Sequence, residues 1–207
     1  MGLTTTILSD LDGVLVDSHA SIMRSWRWWG ARHGVEERVL AGIAQGRPSG
    51  EVISALLPDL DALEESRAID LRQAEDVDDV VALPGAHELF GGGHPVAVVT
   101  SCTIPLARAR LSAAGLPVPE VLVTPERLTR GKPDPEGYLL AARELGADPA
   151  DCVVFEDAPA GVQAGRAAGM HVVGITTTHD PSELGASELA PSVAAWLARR
   201  DGVQSGS

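Results

Sequence analysis

The sequence predicts an α/β fold in which a doubly wound parallel sheet carries a small helical insertion after its first strand. Two observations support this class. From Leu83-Pro84-Gly85 onward, short apolar runs of strand type alternate with helical segments, which is typical of a parallel sheet with crossover helices. Between residues 18 and 79, in contrast, helical patterns follow one another without a β-rich run.

Length and charge limit the possible functions. The chain has 207 residues and a hydrophobic fraction of 44%, enough for one buried core with a smaller subdomain. Its formal net charge of −13 disfavours nucleic acid or an acidic membrane surface as a partner, because both need a cationic footprint. No signal peptide and no apolar run of bilayer length is apparent, so we expect a cytoplasmic protein, with a monomer as the default.

Cysteine and histidine usage argues against a disulfide and a soft-metal site. Cys102 and Cys152 are far apart in sequence, and we expect both to be reduced. The six histidines are scattered, with no pair at the spacing of zinc ligands.

The first predicted strand ends in a pair of acids. Residues 7–9 run directly into Asp10 and Asp12, and Gly13 follows. Strand alternation would put the two carboxylates on one face, where their repulsion calls for a bound cation or for protonation of one acid. On these residues alone, an acidic turn that only ends the strand is an equally good interpretation.

A helix is predicted from about Ser18, a plausible N-cap, to Gly34, a plausible stop. Four residues recur there at helical spacing: Ile22, Trp26, Trp29 and His33. Three of the four tryptophans lie between positions 26 and 29, which favours the core of a small helical bundle over an aromatic sugar-binding surface. Further helices are predicted from about Glu36 to Asp79, in a segment that becomes strongly acidic after Asp59.

Strands and helices alternate after residue 83. The predicted strands cover residues 95–100, 120–124, 152–155 and 171–176. Helices are predicted at about 103–114, 135–145, 159–169 and 191–200, several with proline near the first position and glycine after the end. Glycine is frequent in the helix at 159–169, which predicts close backbone packing there, beside the acids that end the strand at 152–155.

Four segments carry a family resemblance. Residues 10–18 resemble the first motif of the haloacid dehalogenase-like hydrolases, and segments 98–101, 131–135 and 153–157 are similar to three further motifs in the family's order. The intervening segments most resemble the small sugar-phosphate and polyol-phosphate phosphatases of that superfamily. The resemblance implies a Rossmann-like catalytic core of residues 1–17 and 81–207, and an α-helical cap of residues 18–80 that closes over the site.

The resemblance also implies roles for individual residues. Asp10 would be the nucleophile and Asp12 the general acid and base. Thr100 and Lys132 would contact the phosphoryl group, together with backbone N–H groups at Leu11 and Ser101.

The implied cofactor is Mg²⁺. Asp10, Glu156 and Asp157 would bind it, with the backbone carbonyl of Asp12. Arg47 in the cap would reach a substrate phosphate or hydroxyl, or else lie exposed in a loop.

The implied activity is Mg²⁺-dependent hydrolysis of a small phosphorylated metabolite, a sugar or polyol phosphate, through an aspartyl-phosphate. The nearest alternative is a phosphomutase similar to the β-phosphoglucomutases. Those enzymes carry a cap histidine where this chain has Ile22, and we expect His19 on a different helical face. Dehalogenases lack an acid at the position of Asp12, and a catalytically silent binding protein is disfavoured because every charged motif position is intact.

Overall fold

The structure, a computed structural model, describes residues 5–43 and 49–204. The strands are β1 Thr6–Ser9, β2 Val16–Asp17, β3 Val81–Ala82, β4 Val96–Val99, β5 Val121–Val123, β6 Cys152–Glu156, β7 His171–Ile175 and β8 Glu188–Ala190. The helices are α1 His19–His33, α2 Glu37–Ile43, α3 Ser49–Leu56, α4 Ala62–Glu75, α5 Ala86–Gly91, α6 Ile104–Ala113, α7 Glu136–Glu144, α8 Pro159–Ala167, α9 Pro181–Leu184 and α10 Val193–Gln204.

Six of the described strands form one parallel sheet in the order β5-β4-β1-β6-β7-β8. β1 lies between β4 and β6, with Ile7 opposite Val96 on one side and Val153 on the other. The chain therefore winds outward in both directions from β1, and the winding reverses between β1 and β6. This is the doubly wound parallel sheet that the sequence predicts.

Side chains alternate between two apolar layers, one on each face of the sheet. Ile7 packs in the layer that also contains Phe155 and Trp196, whose rings meet edge to face at 5.0 Å. Leu8 packs in the opposite layer, which includes Tyr138. Since both faces are covered, the strands are apolar along their whole length, and this explains their continuous hydrophobic runs.

The segment between β2 and β3 is helical and has a core of its own. The two strands pair antiparallel, so the chain leaves the sheet region and returns to it side by side. The core consists of buried residues from α1 to α4: Trp26, Trp29, Leu40, Val52, Ile53 and Ile69. The two indole rings meet nearly perpendicular, with centres 5.5 Å apart. The tryptophans therefore form a helical core, as their spacing favours; the cap boundaries at 18 and 80 stay a prediction.

The structure adds elements that the sequence patterns do not reveal. β2, β3 and β8 have only two or three residues each, too few for a periodic pattern. The short helices α5 and α9 are absent from the predicted set for the same reason, and α10 continues to Gln204 instead of ending near residue 200.

Arg47 lies outside the described residues. Within those residues, no helix combines the length and the hydropathy that crossing a bilayer requires.

Replacing Trp29 with alanine tests the helical core. Its side chain is fully buried, and its indole N–H donates to Glu65 Oε2 at 2.8 Å. We expect Trp29→Ala to lower the free energy of unfolding by about 3–5 kcal/mol, measured by urea denaturation. Trp28→Ala is the matched control, because Trp28 is only half-buried beneath the guanidinium groups of Arg32 and Arg72. Equal losses in both variants would contradict the central position of Trp29.

Candidate active site

The candidate site lies at the carboxyl ends of three adjacent strands. Asp10 follows β1, Thr100 follows β4 and Asp157 follows β6. The Asp10 N–H donates to the carbonyl of Phe155 at 2.9 Å, and the Thr100 N–H donates to that of Val123 at 3.0 Å. These backbone bonds hold the side chains on one edge of the sheet, beside the point where the winding reverses.

Three carboxylates gather at this edge. Oxygens of Asp10, Glu156 and Asp157 all lie within 4.8 Å of one another, and Glu156 and Asp157 are almost fully buried. Burial raises the pKa of Asp10 to about 7; the Lys132 charge opposes the shift, while Glu156 and Asp12 add to it. Burial, together with the charges of Asp10 and Glu156, raises the pKa of Asp157 well above its usual value.

The cluster has the chemistry of a hard-cation site. Three mutually repelling carboxylates favour a bound cation, and their oxygens are the ligands that Mg²⁺ prefers. The cluster could therefore hold a divalent ion. The side chain of Asp12 lies outside the cluster, and the predicted role of its backbone carbonyl as a ligand stays a prediction.

Lys132 supplies a cation from the chain itself. Its Nζ lies 2.6 Å from Asp10 Oδ1 and 2.6 Å from Glu156 Oε1, and it donates to the carbonyl of Val99 at 3.0 Å. Burial alone would lower the pKa of Lys132, but the carboxylates of Asp10 and Glu156 outweigh it and raise the pKa above its usual value. The amine therefore stays protonated, although little of it is exposed.

Two side chains that the sequence reasoning missed complete this region. The hydroxyl of Tyr138 donates to Glu156 Oε1 at 2.6 Å, and its ring centre is 5.4 Å from the Lys132 amine. Tyr138 is the chain's single tyrosine and lies in the first turn of the helix that follows Lys132, which is the signal that could have found it. The hydroxyl of Thr178 donates to Asp157, from a loop after β7 that carries no family motif.

Helix α8 approaches the cluster closely, as its glycine content predicts. A Cβ atom on Gly161 would lie 1.8 Å from Glu156 Oε1, so only glycine leaves room for the carboxylate at this position. The close approach fixes Glu156 between α8 and Lys132.

Asp12 lies near the cluster but has different partners. The Ser18 hydroxyl donates to its Oδ1 at 2.6 Å, and the Cys102 thiol donates to its Oδ2 at 2.9 Å. Arg110 forms an ion pair with the same Oδ2. Both cysteines are free and buried, as expected, but the contact of Cys102 with Asp12 does not follow from sequence spacing.

A cavity joins these strand ends to the helical segment. Its lining includes Ser101, which is exposed, and side chains from α1 and α4: His19, Ile22, Met23, Trp26, Asp70 and Gln73. His19 shares the cavity with Ile22, contrary to the helical-face expectation, because the two residues are three positions apart in α1 and therefore lie on the same side of the helix. The side chain of Leu11 is fully buried, which leaves only its backbone for a ligand.

The structure thus brings Asp10, Thr100, Lys132, Glu156 and Asp157 together from four separate stretches of the chain. Their arrangement offers carboxylate oxygens, one ammonium group and one hydroxyl to a bound molecule. The catalytic roles of these residues stay predictions.

Comparison with known proteins places the chain in a family. Residues 4–169 match the family of haloacid dehalogenase-like hydrolases. The chain belongs to this family, as its four motifs predict.

Individual relatives agree with this membership. The chain is 45% identical over 189 residues to hexitol phosphatase A of Escherichia coli, with 88% of each chain covered. It is 32% identical over 181 residues to the fructose-1-phosphate phosphatase YqaB of the same organism, covering 82% of this chain and 95% of the relative. A hydrolase structure from Pseudomonas syringae superposes with a TM-score of 0.83 at 26% identity, covering 96% and 99% of the two chains. The predicted family and fold class are confirmed.

The close approach of α8 can be tested by metal binding. We expect Gly161→Ala to weaken Mg²⁺ binding at least about tenfold in calorimetric titration, because the new methyl group displaces Glu156 from the cluster. Gly91→Ala is the control, since Gly91 is also helical and a Cβ there meets no atom within 4 Å. Unchanged affinity in Gly161→Ala would contradict the assignment of Glu156 to a metal site.

Proposed function

We propose that this chain is a magnesium-dependent phosphatase that hydrolyses a small sugar phosphate or polyol phosphate through an aspartyl-phosphate intermediate. Its class, a phosphomonoesterase of the haloacid dehalogenase-like family, follows from the family match and from its phosphatase relatives. The metal, the intermediate and the substrate class are what the proposal adds. The observation that carries it is the position of the Lys132 amine, 2.6 Å from Asp10 within a cluster of three carboxylates.

A phosphate monoester can bind at this site only if positive charge offsets the carboxylates. A phosphate monoester brings about two negative charges to a site that already holds several acids, so cations must offset the repulsion. Lys132 supplies one. A divalent ion held by Asp10, Glu156 and Asp157 would supply further positive charge and polarise the phosphoryl oxygens.

Asp10 is suited to act as the nucleophile. Its Oδ1 is anchored by the Lys132 amine, which fixes the orientation of the whole carboxylate. An Asp10 oxygen attacks phosphorus and forms a P–O bond, while the bond to the leaving oxygen breaks and its electron pair stays on that oxygen. Thr100 can donate its hydroxyl hydrogen to a phosphoryl oxygen, because its Oγ1 already accepts the N–H of Cys102 at 3.1 Å.

Asp12 transfers the protons. It gives a proton to the leaving oxygen, so that an alcohol departs instead of an alkoxide. In the second half-reaction, Asp12 takes a proton from a water molecule, the water oxygen bonds to phosphorus, and the bond between phosphorus and the Asp10 oxygen breaks, so that phosphate is released. The enzyme returns to its starting state.

Polar side chains on the far side of the cavity support a polyhydroxylated substrate. His19, Asp70 and Gln73 line the cavity on the side of the helical segment and can exchange hydrogen bonds with hydroxyl groups. Burial raises the pKa of Asp70 to about 6. The two relatives described above are named for a hexitol and for fructose 1-phosphate, which supports the same substrate class.

We further propose that the chain acts as a cytoplasmic monomer on a free metabolite. Its net charge of −13 is unsuited to nucleic acid or to an anionic membrane surface.

A phosphomutase is the second candidate, and the position of His19 in the cavity favours it. The cap histidine of the β-phosphoglucomutases is replaced by Ile22, but His19 offers an imidazole to the same cavity. β-Glucose 1-phosphate with a bisphosphate primer separates the two activities. Formation of the 6-phosphate without free phosphate would identify a mutase.

Replacing the nucleophile should abolish turnover. We expect Asp10→Asn to lower phosphate release by at least about 10³-fold, because an amide oxygen is a poor nucleophile and the ion pair with Lys132 is lost. Asp151→Asn is the matched control, since Asp151 is exposed and precedes β6 at the end opposite the site. Wild-type activity in Asp10→Asn would refute the assigned nucleophile.

Metal removal and a substrate panel test the rest of the proposal. We expect a chelator to abolish phosphate release and added Mg²⁺ to restore it, since Lys132 alone cannot offset the charge at the site. The panel compares hexitol phosphates, hexose phosphates, glycerol 1-phosphate and a nucleotide. Activity that survives chelation, or a preference for the nucleotide, would contradict the proposal.

A further inference from the structure

Arg110 is a buried cation that the sequence motifs do not include. It lies on α6, and only 2% of its side chain is exposed. Its Nη1 pairs with Asp12 Oδ2 and donates to Cys102 Sγ at 2.9 Å, while its Nη2 donates to Gln73 Oε1 on α4. One guanidinium group thus contacts the candidate general acid and the helical segment together.

This arrangement is costly for stability alone. Burying a guanidinium group is unfavourable unless its charge and its N–H groups are all satisfied. Among the described residues, the Arg110 Nε has no hydrogen-bond partner, although it is buried. An arginine with an unpaired buried N–H group contributes little to stability. The position of Arg110 beside Asp12 therefore favours a role for it in the site over a role in stabilising the fold.

The hydrogen bonds around Asp12 distinguish its two oxygens. Oδ2 faces Arg110, which is a permanent donor, and the thiol of Cys102. Oδ1 faces Ser18, whose hydroxyl can donate to a carboxylate or accept from a carboxylic acid. Oδ1 is therefore the oxygen that can carry a transferable proton.

We propose that Arg110 is a positioning residue for the general acid: with Gln73 holding it from the helical segment, it occupies Asp12 Oδ2 and leaves Oδ1 to carry the proton. The inference rests on the proposed phosphatase function. In the step concerned, an Asp10 oxygen bonds to phosphorus, the bond to the leaving oxygen breaks, and the Oδ1 proton passes to that oxygen. Arg110 also borders the cavity, but only 2% of its side chain is exposed, so its proposed role is exercised through Asp12.

Two substrates with different leaving groups isolate this step. p-Nitrophenyl phosphate releases a stable phenolate that needs little protonation, whereas sorbitol 6-phosphate releases an alkoxide that needs a proton. The ratio of kcat/KM for the alkyl substrate to that for the aryl substrate reports the steps up to departure of the leaving group. Because both values come from one protein sample, a loss of folded enzyme cancels in the ratio.

We expect Arg110→Met to lower this ratio at least about tenfold. Arg110→Lys should lower it less, since one ammonium group can pair with Asp12 but cannot reproduce the fork that also reaches Gln73. Arg108→Met is the matched control, because Arg108 is exposed on the same helix and its loss changes the net charge equally; its ratio should equal that of the wild type.

Asp12→Asn distinguishes a failure of the positioning role of Arg110 from a failure of the general-acid role of Asp12. If Asp12→Asn lowers the ratio and Arg110→Met does not, the positioning role of Arg110 is wrong while the phosphatase mechanism stands. If Asp12→Asn leaves the ratio unchanged, Asp12 is not the general acid, and the inference is overturned together with that part of the proposed function. If Arg110→Met is too inactive for either substrate, the Arg110→Lys ratio decides in the same way.

Discussion

The contact between the Lys132 amine and the carboxylates of Asp10 and Glu156 is the interaction on which the site depends. Three acids converge where two adjacent strands end, and their repulsion would push them apart or leave them protonated. One buried ammonium group offsets part of this charge and fixes the direction of Asp10. The remaining negative charge makes the cluster a suitable place for a divalent cation and, once that is bound, for a phosphate group.

The sheet topology makes this contact possible. β1 and β6 are neighbours only because the chain crosses over after winding through β4 and β5, so residues more than 120 positions apart meet at one edge. The helical segment between β2 and β3 is stabilised by its own tryptophan core and covers the cavity with polar side chains. Under the proposed function, the sheet edge would carry the chemistry and the helical segment would contribute to substrate recognition.

The sequence predicts the sheet and the principal acids well, and it predicts their surroundings poorly. Long apolar runs and ordered motifs identify the strands and place Asp10, Thr100 and Asp157 at their ends. The sequence patterns do not identify Tyr138, Arg110 and Thr178. Each of these side chains reaches the site from outside the four motifs, and the spacing of residues along the chain does not show where such a side chain points. β8 was missed because three residues cannot display a period. Local patterns therefore describe elements, whereas partners of buried charges depend on tertiary packing.

A crystal structure with Mg²⁺ and beryllium fluoride would test the central claim most directly, since beryllium fluoride mimics a phosphoryl group on a carboxylate. The account predicts the fluoride complex on a carboxylate oxygen of Asp10, a metal ion bound by Asp10 and Asp157, and the Lys132 amine in contact with the complex. A fluoride complex bound elsewhere, or a metal ion absent from the cluster of three carboxylates, would contradict it.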